Sequence, residues 1–397
     1  MTKIDLAKKF KENGYSCPID MDCKKCKEIT GYNCLHDDVK LWCDEILSSS
    51  DFEEWKAINS TQIEELADYF NVDSSTIDEH LNKQHATDCV RRARSLMEEE
   101  LHAYILSINP ECKIVHNAKK ILGGIELDLY LPDYNFAIEC NPTATHNSSV
   151  QNPWGGNPKS MNYHKHKTDL CEEQGIFLFH IFGYEWTHKK DIILSMIRNL
   201  LGKVGTKIYA RKCEIRNVSA DDAIKFLMAN HRQGATNAKV RLGLYYNDEL
   251  VSLMTFNKMR STIGIDKSDM SDCWELSRFC SKLNTTVIGG ADKLFQAFIK
   301  QYNPSKIRSF SDRSHTRGGL YTKLGFTEVN RSSANYVWVN VKTDVAYHRI
   351  NAQKRHLKRF LKDDNIDLSQ SENQIMVAYG YVRVYDSGTI TWEWQSL

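Results

Sequence analysis

Between Ile125 and Trp186 the chain crowds together residue types that could do chemistry. The stretch opens IELDLYLPDYNFAIECNPTATH. It contains two short strand-like runs, Glu126 to Leu131 and Asn135 to Glu139, joined by the turn signal Pro132-Asp133. Alternation on the first run puts Asp128 on one face with Glu126 and Tyr130, opposite Leu127, Leu129 and Leu131. The second run, Phe136-Ala137-Ile138, ends in Glu139, so a carboxylate is delivered where the chain leaves the sheet. Two such carboxylates on a hairpin can face one pocket. A hard divalent cation, Mg²⁺ or Mn²⁺, takes one or two carboxylates plus a substrate phosphate, and it makes a nucleophile of bound water.

His146 follows on the exit loop, and YHKHKTDLCEEQG, an amphipathic helix start, carries His164, His166 and Lys167. Imidazole and ammonium are what phosphodiester cleavage requires besides metal: a base for water and a cation for developing charge. Upstream, RSLMEEELHAYIL reads as a helix with Leu96, Leu101 and Ile105 inward and Glu98 on or beside that face. Taken one at a time, acids on a hairpin are more often solvated surface. Their joint order argues for a site.

The motifs ELDLYLP, AIECN, a following His and HKHKTDLCEEQGIFLFHIFGYEW resemble the nuclease domain of phage-type homing endonucleases related to the very-short-patch-repair endonuclease, within the PD-(D/E)xK superfamily. The resemblance implies a metal-dependent, site-specific DNA endonuclease. It implies catalytic roles for Glu98, Asp128, Glu139, His146, His164 and Lys167, with Mg²⁺ on Asp128 and Glu139 and double-stranded DNA as partner.

The elements that must position these residues divide the chain. At 397 residues it should form several domains, in mixed α/β and α+β classes. Residues 1–50 hold Cys17, Cys23, Cys26 and Cys34 as C-x5-C-x2-C-x7-C, a spacing suited to Zn²⁺ or, alternatively, an iron–sulfur cluster, or to no metal at all. Residues 51–88 read as two capped helices about Asn71-Val72-Asp73, resembling a helix-turn-helix that would offer Thr76, His80 and Lys83 to DNA. Arg91, Arg92 and Arg94 lead into the nuclease segment, 89–205, and could reach phosphates. That segment closes with HKKDIILSMIRNLLGKV, a helix with Ile192, Ile193, Met196, Ile197, Leu200 and Leu201 inward.

From 206 to 342 the order of strands and helices, with LYTKLGF, resembles the acyltransferase fold of the GNAT superfamily. In that fold a glycine turn before a helix holds the pyrophosphate of acetyl-CoA, and Ile288-Gly289-Gly290-Ala291 lies at that place. Alternatively the domain is a fused module in which Arg211, Lys212, His231, Arg278, Asp312 and Arg317 line a nucleic-acid surface or a relic pocket. In the last segment, 343–397, VAYHRINAQKRHLKRFLK reads as a basic helix with Arg349, Lys354, Arg355, Lys358 and Arg359 for DNA. A β-hairpin about Gly388 is expected to follow it.

Lys+Arg is 52 against Asp+Glu 51, so only local patches could attract nucleic acid. No apolar run reaches the roughly 20 residues of a membrane span, and the start is no signal peptide, so a soluble, cytoplasmic protein without disulfides is expected. The leading expectation is thus a DNA endonuclease. The alternatives are a CoA-dependent acyltransferase and a non-catalytic DNA-binding regulator with a degenerate nuclease fold.

Overall fold

A computed structural model describes residues 96–149, 158–259 and 272–396. The expectations placed on Cys17, Cys23, Cys26 and Cys34, and on Thr76, His80, Lys83, Arg91, Arg92 and Arg94, lie outside the described residues. Compactness divides the chain into two units, 1–139 and 140–397.

In the first unit, α1 (Leu96–Ile108) buries Met97, Glu98, Leu101 and Ile105. Leu96, expected inward, is 72% exposed. Positions 97, 101 and 105 repeat every four residues, and Leu96 sits about 100° round the helix from that stripe. Strands β1 (Val115–His116), β2 (Leu129–Leu131) and β3 (Phe136–Asn141) form an antiparallel ladder. Leu127, Leu129 and Leu131 are fully buried while Asp128 and Tyr130 are half-buried, the alternation a one-sided strand requires. Pro132 to Tyr134 form a 3₁₀ turn closed by Asn135 in the left-handed region.

In the second unit, α2 (Tyr163–Glu173), the buried strand β4 (Phe177–Phe182) and α3 (Gly183–Leu200) follow one another. Helix α3 breaks regular geometry at Lys189 and buries Ile192, Ile193 and Ile197. Leu200, expected inward, is 42% exposed because it falls beside the 193-197-201 stripe. A short strand, β5 (Thr206–Tyr209), then leads into a seven-stranded sheet.

That sheet comprises β6 (Glu214–Asn217), β7 (Val240–Tyr246), β8 (Glu249–Lys258), β9 (Cys273–Ser281), β11 (Lys306–Asp312), β12 (Thr327–Arg331) and β16 (Thr389–Gln395), in the order 12-16-11-9-8-7-6. All neighbours are antiparallel except β9 and β11. Asn247 and Asp248 both take positive φ, which a two-residue hairpin between β7 and β8 demands. Helix α4 (Ala220–Asn230), capped by the Ser219 hydroxyl accepting the Asp222 N–H, packs Ala223 and Leu227 against Val218 and Leu253. Helix α5 (Gly290–Tyr302) places Leu294, Phe295 and Phe298 in the main core with Leu244, Phe256, Trp274 and Trp392. Strand β10 (Thr285–Ile288), just before α5, pairs in parallel with β5, and α6 (Gly319–Lys323) precedes β12.

Residues 332–388 form an insertion between the last two strands of the sheet. Its strands β13 (Tyr336–Asn340), β14 (Ala346–His348) and β15 (Tyr381–Tyr385) make a small sheet. Helices α7 (Leu357–Leu361) and α8 (Glu372–Ala378) complete it about Trp338, Leu357 and Met376. Two sequence expectations are corrected here. The basic helix is instead a strand end, two 3₁₀ turns and the five-residue α7. The expected hairpin about Gly388 does not form: β15 pairs with β13, whereas β16 joins the large sheet. A Cβ on Gly388 would lie 2.7 Å from the Ser332 carbonyl, so the turn is a tight crossing between sheets.

Candidate functional site

Strands β9 and β11 pair over three positions only, ending at Arg308 and Glu275. Beyond them β11 stays with β16 to its last residue, while β9 stays with β8. A register shift between Thr255 and Phe256 of β8 leaves Ser277 of β9 as an extra residue, a bulge that bends its strand. The two parallel strands therefore part toward their C-terminal ends. The crossover from β9 to β11 runs through β10 and then α5, whose first residue, Gly290, lies against Val287 of β10 and Leu244 of β7.

Where the backbone ladder stops, side chains take over. Ser309 Oγ donates to the Leu276 carbonyl at 2.8 Å and lies 3.1 Å from the Tyr321 hydroxyl, which is also 3.3 Å from the Phe310 carbonyl. The Tyr321 hydroxyl donates to the Phe310 carbonyl, so each of the two hydroxyls has a backbone acceptor. Burial raises the Tyr321 pKa, outweighing the Ser309 bond and Arg278, so the phenol keeps its proton at neutral pH. Tyr321 stacks on Trp392 with ring centroids 5.4 Å apart. Gly318, at φ 77°, leaves room for that indole: a Cβ there would sit 2.1 Å from Trp392 Cζ2.

Gly289 caps α5 in the left-handed conformation without a side-chain cap. The N–H groups of the first turn, at Gly290, Ala291 and Asp292, have no acceptor within the helix and carry its positive dipole end. Gly290 is needed for a different reason, since a Cβ would come within 3.0 Å of Val287.

A buried ionic network closes the C-terminal end of β11. Arg232 donates to Glu185 at 2.6 Å and to Asp312 at 2.5 Å, and His315 Nε2 lies 3.0 Å from Glu185. Burial alone would raise the Glu185 pKa, but His315 and Arg232 hold it at about 2, and Asp312 is lowered likewise. His315 is pushed down by burial and Arg232, yet Glu185 and Asp312 outweigh both and raise it. In the loop after α4, His231 accepts the Gln233 N–H, and burial, with Arg278 next, takes its pKa to about 3. Lys189 and Arg278 donate to the Arg232 and Gly234 carbonyls of the same loop. Arg211 and Lys212 are exposed, and Arg317 donates to the Gly175 carbonyl.

Of the residues expected to cut DNA, Glu98, Asp128 and Glu139 belong to the first unit. Glu98 and Glu139 are buried, and the β2–β3 register, extended one residue, sets Asp128 opposite Glu139. His146, His164 and Lys167 belong to the second unit. His146 Nδ1 lies 3.3 Å from His164 Nε2, and the other His164 nitrogen donates to the Tyr385 carbonyl at 2.7 Å. Burial first, then neighbouring charges, lowers both imidazoles, His164 to about 4, so both are neutral at pH 7. Thr168 continues the chain to His180 at 2.8 Å and to Ser387.

Over about half of the chain the arrangement of strands and helices is similar to that of solved acetyltransferases. No protein-family model and no curated protein matches the chain. Among solved structures it is similar to a Bacillus subtilis acetyltransferase in complex with CoA, at 14% identity and TM-score 0.26, over 47% of this chain and 100% of that one. It is also similar to the ribosomal-protein-S18-alanine N-acetyltransferase from Escherichia coli, at 10% and 0.27, over 46% and 93%. A GNAT family acetyltransferase from Elizabethkingia anophelis with acetyl-CoA bound matches at 11% and 0.25, over 47% and 99%. At such identities the likeness concerns the fold.

These findings correct the leading expectation. The three matching structures named above are acetyltransferases, whereas the motifs led to the expectation of homing endonucleases or very-short-patch-repair-like nucleases. The expected Mg²⁺ or Mn²⁺ is corrected with it, while the Zn²⁺ or iron–sulfur cluster was placed on cysteines outside the described residues. Among the described residues no group of three or more His, Cys, Asp and Glu could hold a metal ion; of the structures named above, one is in complex with CoA and one has acetyl-CoA bound. Asp128 and Glu139 share a face, but among the described residues no third His, Cys, Asp or Glu joins them in a metal-binding group. Among the described residues, no helix is long and apolar enough to cross a membrane.

Sequence reading had marked Gly289, Gly290, Arg278 and Asp312, but it missed Ser309, Tyr321, Glu185 and Arg232. The pairing of Ser309 with Leu276 depends on where two distant strands stop pairing. For Tyr321 the YTKLGF motif was the available signal.

Proposed function

We propose that the second unit is an acyltransferase that takes an acyl group from acyl-CoA and gives it to an amine. The observation that carries this reading is the parting of β9 and β11 after three registers, with α5 and its uncapped N-terminus on the connection between them. An acyl-CoA laid in that gap would supply an activated thioester, with its pyrophosphate on the N–H groups of Gly290, Ala291 and Asp292. The bulge at Ser277 turns backbone out of the ladder beside the gap, where an N–H can stabilise charge on the acyl oxygen. Tyr321 gives its phenolic proton to the departing sulfur and regains one from the attacking amine through solvent. Ser309 holds that phenol in place, and the Arg232 network fixes the end of β11.

A second reading, a domain with this fold but no transfer activity, is favoured by the pairing of β10 with β5. That pairing engages backbone of Thr285 to Ile288, just before the helix. One experiment separates the two. Thermal unfolding of the full chain with acetyl-CoA should show a rise in midpoint that adenosine alone does not give. No rise with either acetyl-CoA or CoA overturns the acyltransferase reading.

A further inference from the structure

We infer that the insertion between β12 and β16 carries a docking surface for duplex DNA, formed by Arg349, Lys354, Arg355, Lys358, Arg359 and Lys362. All six side chains are exposed, and residues 348–362 contain no acid. Lys354 and Arg355 lie in a 3₁₀ turn, Lys358 and Arg359 in α7, and Lys362 caps α7 at φ 56°, so one short stretch of chain carries five of the six cations. Cations clustered this densely neutralise the phosphates of a duplex and release its condensed counterions.

The apolar residues decide between a nucleic acid and an anionic membrane. A membrane-surface segment needs an apolar face to insert. Here Ala352 and Leu357 are fully buried, and Phe360 and Leu361 are half-buried against the core around Trp338, which leaves Ile350 as the one exposed apolar side chain of the segment. The aromatic rings argue for a duplex over a single strand. Single-strand binders offer open rings on which bases stack, whereas Tyr347, Phe360 and Tyr381 pack on one another with centroids 5.1 to 5.9 Å apart.

Topology places the insertion usefully. It leaves from Arg331, which pairs with Ile390, and returns at Thr389, which pairs with Asp312. It therefore joins the sheet at the end where β9 and β11 part. The inference goes beyond the acyl-transfer reading and stands without it.

The test measures binding of the full chain to a fluorescent DNA duplex by anisotropy over a salt series, for wild type and for a variant with Lys354→Gln, Arg355→Gln, Lys358→Gln and Arg359→Gln. The expected result is weaker binding, with the slope of log affinity against log salt reduced by about 3 to 4. Circular dichroism of the variant should be unchanged, since the four positions are exposed. Equal affinity and slope for both proteins overturns the inference. So does equal or tighter binding of wild type to phosphatidylserine vesicles, or to the separated single strand. An acetyl-CoA thermal shift run on the same variant keeps this outcome distinct from that of the acyltransferase reading.

Discussion

Ser309 and Leu276 are joined by a side-chain hydrogen bond of 2.8 Å, one residue past the last backbone pairing of β9 with β11. The sheet is held together there by a hydroxyl instead of the ladder. Ser309 is 1% exposed, so its removal strands a buried carbonyl. Ser309→Ala should cost about 1 to 3 kcal/mol, read from chemical unfolding. A loss within error of zero would show that water replaces the hydroxyl and that the gap is already wet.

Tyr321→Phe keeps the ring on Trp392 and deletes the proton donor. Acetyl-CoA affinity should remain near that of wild type, while acyl transfer to an amine should slow by about 10²- to 10⁴-fold. The two quantities are separable by calorimetry and by single-turnover thiol release. Equal slowing of binding and transfer would assign the residue to packing alone.

Gly318 answers to two demands, its positive φ and the face of Trp392. Gly318→Ala adds about 1 to 2 kcal/mol of left-handed backbone cost to an overpacking cost of about 1 to 3 kcal/mol. A marked fall in unfolding midpoint is expected, together with a change in tryptophan fluorescence. An unchanged spectrum would mean that the indole does not bear on this turn.

Protonation of the buried network gives a pH signature. Glu185, at about 2 when folded against an ordinary 4.5, contributes stability that is present above 4.5 and lost as pH falls toward 2. His315 is raised, so its contribution is present below 6.5 and lost as pH rises through its higher folded value. In Glu185→Gln the acid-side loss should flatten and the alkaline loss should begin at lower pH. Stability at neutral pH should drop by about 3 to 5 kcal/mol, because Arg232 and His315 lose one of two buried counter-charges. Parallel stability–pH curves for variant and wild type would remove Glu185 from the network.

Local patterns by themselves determined much of this protein. The alternation of Leu127, Asp128 and Leu129, the glycine pair at 289–290 and the succession of strands and helices after Lys207 each follow from side-chain period or backbone freedom, which neighbours in sequence settle. The motif reading of Glu98, Asp128, Glu139, His146, His164 and Lys167 went further than those rules allow. Residue type and order do not fix which donors share a point in space, and no metal-binding group forms among the described residues. Tertiary structure alone decided that β16 crosses out of its expected hairpin to lie between β11 and β12, and that β9 parts from β11. It likewise decided that Arg232 meets Glu185 and Asp312 across 47 and 80 residues of chain. Such pairings are set by which buried faces and charges must find partners once the chain is compact, and separation along the sequence carries no trace of them.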